Sequence, residues 1–139
     1  MGEKEDIVNR AIIFATRAHE GMYRKGTKLP YIVHPIEACA VAASITDNPV
    51  ILAAAVLHDV IEDTDYGAEE IRELFGEEVL CLIASDTEDK REELPAEQTW
   101  KARKQETIDY LKEKASYGEK IIVLSDKVAN MRSIYLIKQ

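Results

Sequence analysis

The segment from Pro49 to Asp63, PVILAAAVLHDVIED, constrains the chain more than any other. Its opening run, Pro49 to Leu57, carries no polar side chain, so a helix here is apolar on every side and has to be a buried centre rather than a surface element. Asp47 or Asn48 supplies an N-cap oxygen, and Pro49 suits the first helical position, where its missing N–H is not needed. The pattern predicts a helix from Val50 to about Glu62. Its C-terminal end nevertheless reads His58, Asp59, Glu62 and Asp63. Burying a carboxylate is expensive unless it is hydrogen-bonded, paired or bound to a metal. Successive helical residues point about 100° apart, so His58 and Asp59 can flank one ion. Residues four apart share a face, which places Glu62 beside His58 and Asp63 beside Asp59, one turn further on.

The rest of the chain reads as helices arranged around this one. From Lys4 to His19, Ile7, Val8, Ala11, Ile12, Ala15 and Ala18 follow the spacing of an amphipathic helix that Gly21 ends. His19, at its end, is expected to hydrogen-bond locally or to favour the helix dipole. Tyr23 to Pro30 is a basic loop, and Pro35 fits the first turn of a second helix through Ile36, Ala40, Val41 and Ala43. Two short helices, Ala68–Phe75 and Glu77–Ser85, are separated by Gly76. Asp86–Glu97 is charged and contains Pro95, the pattern of a mobile loop. A long polar helix spans about Ala96 to Ala115, Tyr117-Gly118 breaks it, and a last helix begins near Glu119. Ile121 to Leu124 resembles a buried strand, but no second strand pairs with it, so it is assigned to the last helix. The expectation is an all-α helical bundle in one domain spanning 1–139, with no repeats or linker.

A chain of 139 residues buries roughly two-thirds of its unfolded surface and needs no disulfide. Cys39 and Cys81 form no Cys-x-x-Cys pair, and both are expected to be small buried hydrophobes in a reducing compartment. Eighteen basic and 26 acidic residues give a net charge of −8. That balance argues against nucleic-acid binding, which depends on Lys and Arg neutralising phosphates, but not against a small phosphorylated ligand held by a metal and local cations. No apolar run approaches the ~18 residues of a membrane span, and no signal-peptide pattern opens the chain, so a soluble cytoplasmic protein without a membrane partner is expected.

Two further residues complete a metal sphere. His34 follows an apolar triplet and is held at a helix start by Pro35. Asp126 lies mid-helix, where Asp is locally unfavourable. Taken singly, His34 reads as a hydrogen-bonded core histidine and Asp126 as half of a pair with Lys127 or Arg132. Taken together with His58 and Asp59, they account for two of the three histidines and the least expected carboxylates with one site. Imidazoles and carboxylates suit Mn, Fe, Zn or Co better than Ca or Mg.

Arg24-Lys25-Gly26-Thr27, Pro30-Tyr31-Ile32-Val33-His34-Pro35, Leu57-His58-Asp59-Val60-Ile61-Glu62-Asp63-Thr64 and Asp126-Lys127-Val128-Ala129-Asn130-Met131-Arg132 occur in the order and spacing of a known family. With Glu70-Ile71-Arg72, Phe75-Gly76, Glu88-Asp89-Lys90 and Trp100 with Arg103-Lys104, they resemble the HD-type hydrolase domain of the Rel/Spo alarmone enzymes, and closely the small alarmone hydrolases. The resemblance covers about residues 7 to 134.

It implies Mn²⁺ held by His34, His58, Asp59 and Asp126, with Glu62 and Asp63 orienting and activating the attacking water. It implies guanosine tetra- or pentaphosphate as substrate, losing its 3′-pyrophosphate in the stringent response. Arg24 would lie against the guanine, Lys25 and Thr27 near the ligand, and Asn130 near the ribose and Asp126. On composition alone, Arg24 and Lys25 form a solvated basic loop, and Trp100, Arg103 and Lys104 lie on a polar helix in packing or surface roles, although Lys90 and Arg103 are within reach of a phosphate. Other readings keep the metal site but change the substrate to a 2′-phosphorylated dinucleotide or a nucleoside monophosphate. A non-catalytic alternative is a nucleotide-sensing or degenerate module. Family members continue past the Asn-x-Arg segment with further helices, so the resemblance also implies a missing pocket wall, and the apolar run Ser133 to Ile137 suggests homo-oligomerisation.

Overall fold

The computed structural model describes residues 3–84 and 96–137, with side chains described for 7–84 and 97–133. Among the described residues there are eight helical segments: α1 (Glu3–Ala18), α2 (Val33–Ala43), α3 (Pro49–Leu57), α4 (Val60–Asp63), α5 (Ala68–Phe75), α6 (Glu77–Ala84), α7 (Ala96–Glu113) and α8 (Tyr117–Ile137). The extended chain among them amounts to one isolated antiparallel bridge, Tyr23 to Pro30, which closes the basic loop. The all-α expectation holds.

α3 is the buried centre that its composition demands. It packs against α1, α2, α6 and α8, and Ala53, Ala54, Ala55, Val56 and Leu57 are all buried. Three consecutive alanines keep the axis narrow, so neighbouring helices can approach it from several directions. Its start is capped by Asn48 rather than Asp47: the Asn48 Oδ1 accepts from the Val50 N–H at 2.9 Å, with Pro49 at the first helical position. Ile7, Ala11 and Ala15 of α1, Ile71 and Phe75 of α5, Val79, Leu80 and Ile83 of α6, and Ile121 and Ile122 of α8 complete the core.

The structure departs from the sequence expectations at four places. The predicted single helix from Val50 to Glu62 is interrupted at His58–Asp59. The His58 Nδ1–H donates to the Ala55 carbonyl at 2.6 Å, taking an acceptor that a continuous helix would use for its backbone ladder. Tyr117-Gly118 is not the break before the last helix but its first turn, and the break falls at residues 114–116. At Gly118 a Cβ would stand 3.0 Å from Leu82 Cδ2 and 3.3 Å from Ile51 Cγ1, tighter than ordinary contact, so α8 starts in close contact with α3 and α6. Cys39 is buried as expected, whereas Cys81 is exposed. The His19 ring makes no hydrogen bond to the protein, as described below. The run Ile121 to Leu124 is helical, with Ile121, Ile122 and Val123 buried and Leu124 turned outward.

Residues 85–95, holding most of the expected loop and Lys90, and the side chains of residues 134–137, on which the oligomer expectation rests, lie outside the described residues. Among the described residues no helix is long and apolar enough to cross a membrane.

The dependence on a narrow α3 is testable. Ala54→Leu forces extra methylenes into a site with no exposed surface and should destabilise the fold by ~1–3 kcal/mol, read from a lower urea midpoint at unchanged m-value. An unchanged midpoint would show that the helices around α3 have slack.

Candidate metal centre

Three parts of the bundle deliver donors to one point. His34 is the second residue of α2, in a first turn stiffened by Pro35, and both are buried. His58 and Asp59 occupy the interruption between α3 and α4, and Asp126 projects from α8. One ligand atom from each of His34, His58, Asp59 and Asp126 lies within 4.8 Å of the others, so this group can hold a metal ion. Both imidazoles turn their Nε2 atoms to the same carboxylate oxygen, Asp126 Oδ1, at 2.8 Å from His34 and 2.9 Å from His58. Asp59 Oδ2 stands 3.2 Å from His58 Nε2 and 3.7 Å from His34 Nε2.

The donor chemistry fits a cation. Because a carbonyl can only accept, the 2.6 Å contact to Ala55 fixes the proton of His58 on Nδ1. Its Nε2 then presents a lone pair toward two carboxylate oxygens, an arrangement of acceptors that needs a positive charge between them. A divalent ion supplies it, or in its absence a second proton. The protonated form is strongly held: burial of the ring works against it, but the hydrogen bond to Asp126 and the charges of Asp59 and Asp126 prevail and push His58 up to about 10. Burial likewise opposes charge on Asp126, yet its bonds to His34 and His58 keep it well below the ordinary carboxylate range. Lys127 Nζ lies 3.8 Å from Asp126 Oδ2, the outer oxygen, whereas Arg132 pairs with Glu37 at 3.4 Å instead.

Tyr31 links this cluster to Asp63. Its hydroxyl lies 2.8 Å from Asp59 Oδ2 and 3.1 Å from Asp63 Oδ2, and donates to these two carboxylates. Burial, followed by the charges and hydrogen bonds of Asp59 and Asp63, pushes the phenol far above its usual range, so it remains a donor at any working pH. Asp63 and Glu62 are exposed on α4, one turn beyond Asp59. The interruption at His58–Asp59 therefore keeps the expected one-turn offset between the two pairs.

The basic loop reaches α8. Arg24 Nη2 donates to Ser133 Oγ at 2.8 Å and lies 3.5 Å from Asn130 Oδ1, and its guanidinium is 5.8 Å from the centre of the Tyr31 ring. Asn130 Nδ2 in turn lies 3.5 Å from Asp126 Oδ2. Thr27 turns its hydroxyl inward, donating to the Arg24 carbonyl at 2.9 Å and accepting from the Leu29 N–H at 3.0 Å, so it shapes the loop. Lys25 is exposed. Arg103 Nε donates to Thr99 Oγ1 at 3.1 Å within α7, and Trp100 is exposed.

The residues left without a role by sequence reasoning are Tyr31, Ser133 and His19. Ser133 was legible in principle, because 126, 130 and 133 share one helical face. Tyr31 gave only its position, three residues before His34. His19 is 2% exposed, its ring 4.8 Å from that of Tyr31, and neither ring nitrogen has a protein hydrogen-bond partner. Burial lowers its pKa, against the opposing pull of Asp59 and Asp63.

Comparison with known proteins agrees with this geometry. The family model described as HD domain matches residues 11–138. A GTP pyrophosphokinase of Streptomyces coelicolor is 32% identical over 134 residues, covering 95% of this chain but 15% of its own length. The human guanosine-3′,5′-bis(diphosphate) 3′-pyrophosphohydrolase MESH1 is 36% identical over 138 residues, covering 96% of this chain and 73% of its own. The solved structure of a metazoan ortholog of SpoT that hydrolyzes ppGpp superposes with a TM-score of 0.80 at 30% identity, covering 98% of this chain and 72% of that one. The chain thus spans under a fifth of the pyrophosphokinase and about three-quarters of the smaller relatives.

The His58 proton gives a signed prediction for chelated protein. A folded-state pKa raised from 6.5 to about 10 contributes stability that is complete below about pH 6.5 and lost as pH rises toward 10. The metal-free protein should therefore melt at a lower temperature at pH 9 than at pH 6.5. Excess Mn²⁺ should reduce or reverse that difference, because the ion replaces the proton. A melting temperature for the chelated protein that does not change between these pH values would contradict the assignment of the charge to His58.

Proposed function

Because the chain belongs to the HD-domain family, we propose that it is a metal-dependent phosphohydrolase that removes the 3′-pyrophosphate of guanosine tetra- or pentaphosphate, leaving GDP or GTP. The observation that carries this reading is the Tyr31 hydroxyl spanning Asp59 and Asp63. It couples a carboxylate of the ion-holding group to an exposed carboxylate one turn further on, an arrangement suited to hydrolysis of a phosphoester. Similarity to MESH1 and to the SpoT ortholog over nearly the whole chain supports the same substrate class. Mn²⁺ is the proposed ion, and a mixed imidazole and carboxylate set is compatible with it.

In this reading His34, His58, Asp59 and Asp126 hold the ion. When bound, it acidifies a water and polarises a phosphoryl oxygen. Asp63, assisted by Glu62, accepts the proton of the attacking water. The water oxygen forms a bond to the first phosphorus of the 3′-diphosphate as the bond from that phosphorus to the ribose 3′-oxygen breaks. The 3′-oxygen takes a proton from solvent and ends as a hydroxyl, Asp63 returns its proton to solvent, and pyrophosphate departs. Tyr31 keeps Asp63 oriented by donating to it, and the two-carboxylate grip prevents its rotating away. Arg24, held by Ser133 and Asn130 above the Tyr31 ring, presents a planar guanidinium to the guanine, a role that lysine cannot fill. Lys25 lies on the loop beside it and Asn130 between it and Asp126.

Two variants separate chemistry from binding. Asp63→Asn should lower kcat for pyrophosphate release by roughly 10²–10⁴-fold, the usual contribution of a positioned general base, with little change in KM. Arg24→Lys should raise KM roughly tenfold, the loss of one stacking or charge-assisted contact, with kcat largely retained. Release of pyrophosphate from guanosine tetraphosphate by the Mn²⁺-supplemented protein, and none after chelation, is the basal expectation. Turnover of 2′-phosphorylated dinucleotides or nucleoside monophosphates in preference to it would overturn the substrate assignment.

A further inference from the structure

Among the described residues, His19 is the one buried titratable group near the metal centre that the proposed chemistry does not use. It leaves the end of α1 and enters the interior, where its ring packs at 41° against Tyr31 with centroids 4.8 Å apart. Rings then continue toward the ion-holding group: Tyr31 to His34 at 6.0 Å and His34 to His58 at 5.8 Å. Both ring nitrogens of His19 are buried without a protein partner. An imidazole serving only as filler is the wrong side chain for such a place. Leaving a buried polar group unsatisfied is costly, and phenylalanine or methionine would fill the space without that loss. Buried polar groups of this kind are ordinarily satisfied by ordered water with two to four polar neighbours. Beyond the Tyr31 ring that His19 packs on lie Asp59 and Asp63, which accept from the Tyr31 hydroxyl and whose charges reach His19.

We propose that His19 is a positioning residue for the metal centre, acting through Tyr31. Its ring backs the phenol, and water held on its nitrogens bonds the Tyr31–Asp59–Asp63 cluster from behind, fixing the hydroxyl between the two carboxylates. Asp59 is thereby fixed as a ligand and Asp63 as a base from a residue that touches neither ion nor substrate. Groups that hydrogen-bond a metal ligand commonly change metal affinity by ~10–100-fold when removed. Tyr31 stands in that relation to Asp59, and His19 acts one step further out. The inference rests on the phosphohydrolase reading for its consequence in turnover, but its first readout is metal binding, which does not depend on it.

The test is a double-mutant cycle on the full chain, titrating Mn²⁺ into chelator-treated protein. Tyr31→Phe should weaken Mn²⁺ binding roughly tenfold, and His19→Phe by roughly three- to tenfold, smaller because the effect is transmitted. The double variant should be no weaker than Tyr31→Phe alone. His19→Met removes the same nitrogens with a flexible side chain and runs in parallel, so the result does not depend on one replacement folding. His19→Gln, which keeps a polar group in the cavity, should recover part of the loss. Thermal unfolding should show His19→Phe as stable as the parent or more so. Wild-type Mn²⁺ affinity in both apolar variants would overturn the proposal by reducing His19 to packing. So would losses that multiply in the double variant, since His19 would then act independently of Tyr31. In the same preparations kcat should fall with KM unchanged. A wild-type protein that binds Mn²⁺ and shows the predicted cycle, yet turns over no guanosine tetraphosphate, would sink the proposed function and leave the positioning pair standing.

Discussion

The structure depends on a single carboxylate oxygen, Asp126 Oδ1, on which the Nε2 atoms of His34 and His58 converge. These contacts tie α8 to α2 and to the end of α3, beside the Arg132–Glu37 pair that also joins α8 to α2. They lie in a buried setting where an unpaired charge is costly, so the cluster is stable only with a cation among its members. A proton can serve, and so can a metal, and the two compete for the same lone pairs. The end of the central helix is built around that requirement. His58 turns its other nitrogen back to Ala55, which fixes the tautomer, interrupts the helix and aims Asp59 at the same point.

The apolar part of the fold explains why such a cluster can be held in place. α3 is narrow and buried along its length, which lets α1, α2, α6 and α8 pack around it. The polar cluster sits at the C-terminal end of that axis, so the core fixes the imidazoles while the interruption at His58–Asp59 leads the chain out toward solvent. Asp63, on the emerging turn, is exposed, and Tyr31 connects it back to Asp59. The result is a gradient from a buried cluster that can hold an ion to an exposed carboxylate within about one turn of helix. Hydrolytic metal chemistry uses both ends: a desolvated ion whose charge is effective, and a base that water can reach.

Much of this was readable from the sequence because it rests on local rules. The all-apolar run from Pro49 to Leu57 has no stable place except the centre of a helical bundle, and the histidine and carboxylates that end it are too costly to bury without a partner. The four residues whose ligand atoms lie within 4.8 Å of one another were identifiable because they share that logic. What escaped was set by tertiary contact. The break at His58–Asp59 comes from one side chain taking a backbone acceptor, which periodicity does not register. Gly118 reads as a helix breaker, yet it lies in the first turn of α8, where a Cβ would crowd Leu82 and Ile51. Tyr31 lies in the Pro30–Pro35 block but its link to Asp59 and Asp63 is made across the fold, and His19 is a helix-end histidine outside every quoted block. Cys81 sits in an apolar stretch but faces outward, because the short α6 buries only one face, through Val79, Leu80 and Ile83.

The claim beneath all of this is that one divalent ion binds between α2, the end of α3 and α8. Diffraction from crystals grown with Mn²⁺, collected across the manganese absorption edge, tests it without reference to any substrate. A single anomalous peak at ~2.0–2.3 Å from His34 Nε2, His58 Nε2 and a carboxylate oxygen of each of Asp59 and Asp126, the range expected of transition-metal bonds to nitrogen and oxygen, is the predicted result. A map with no peak there at saturating Mn²⁺, with Asp126 still bonded directly to both imidazoles, would contradict it.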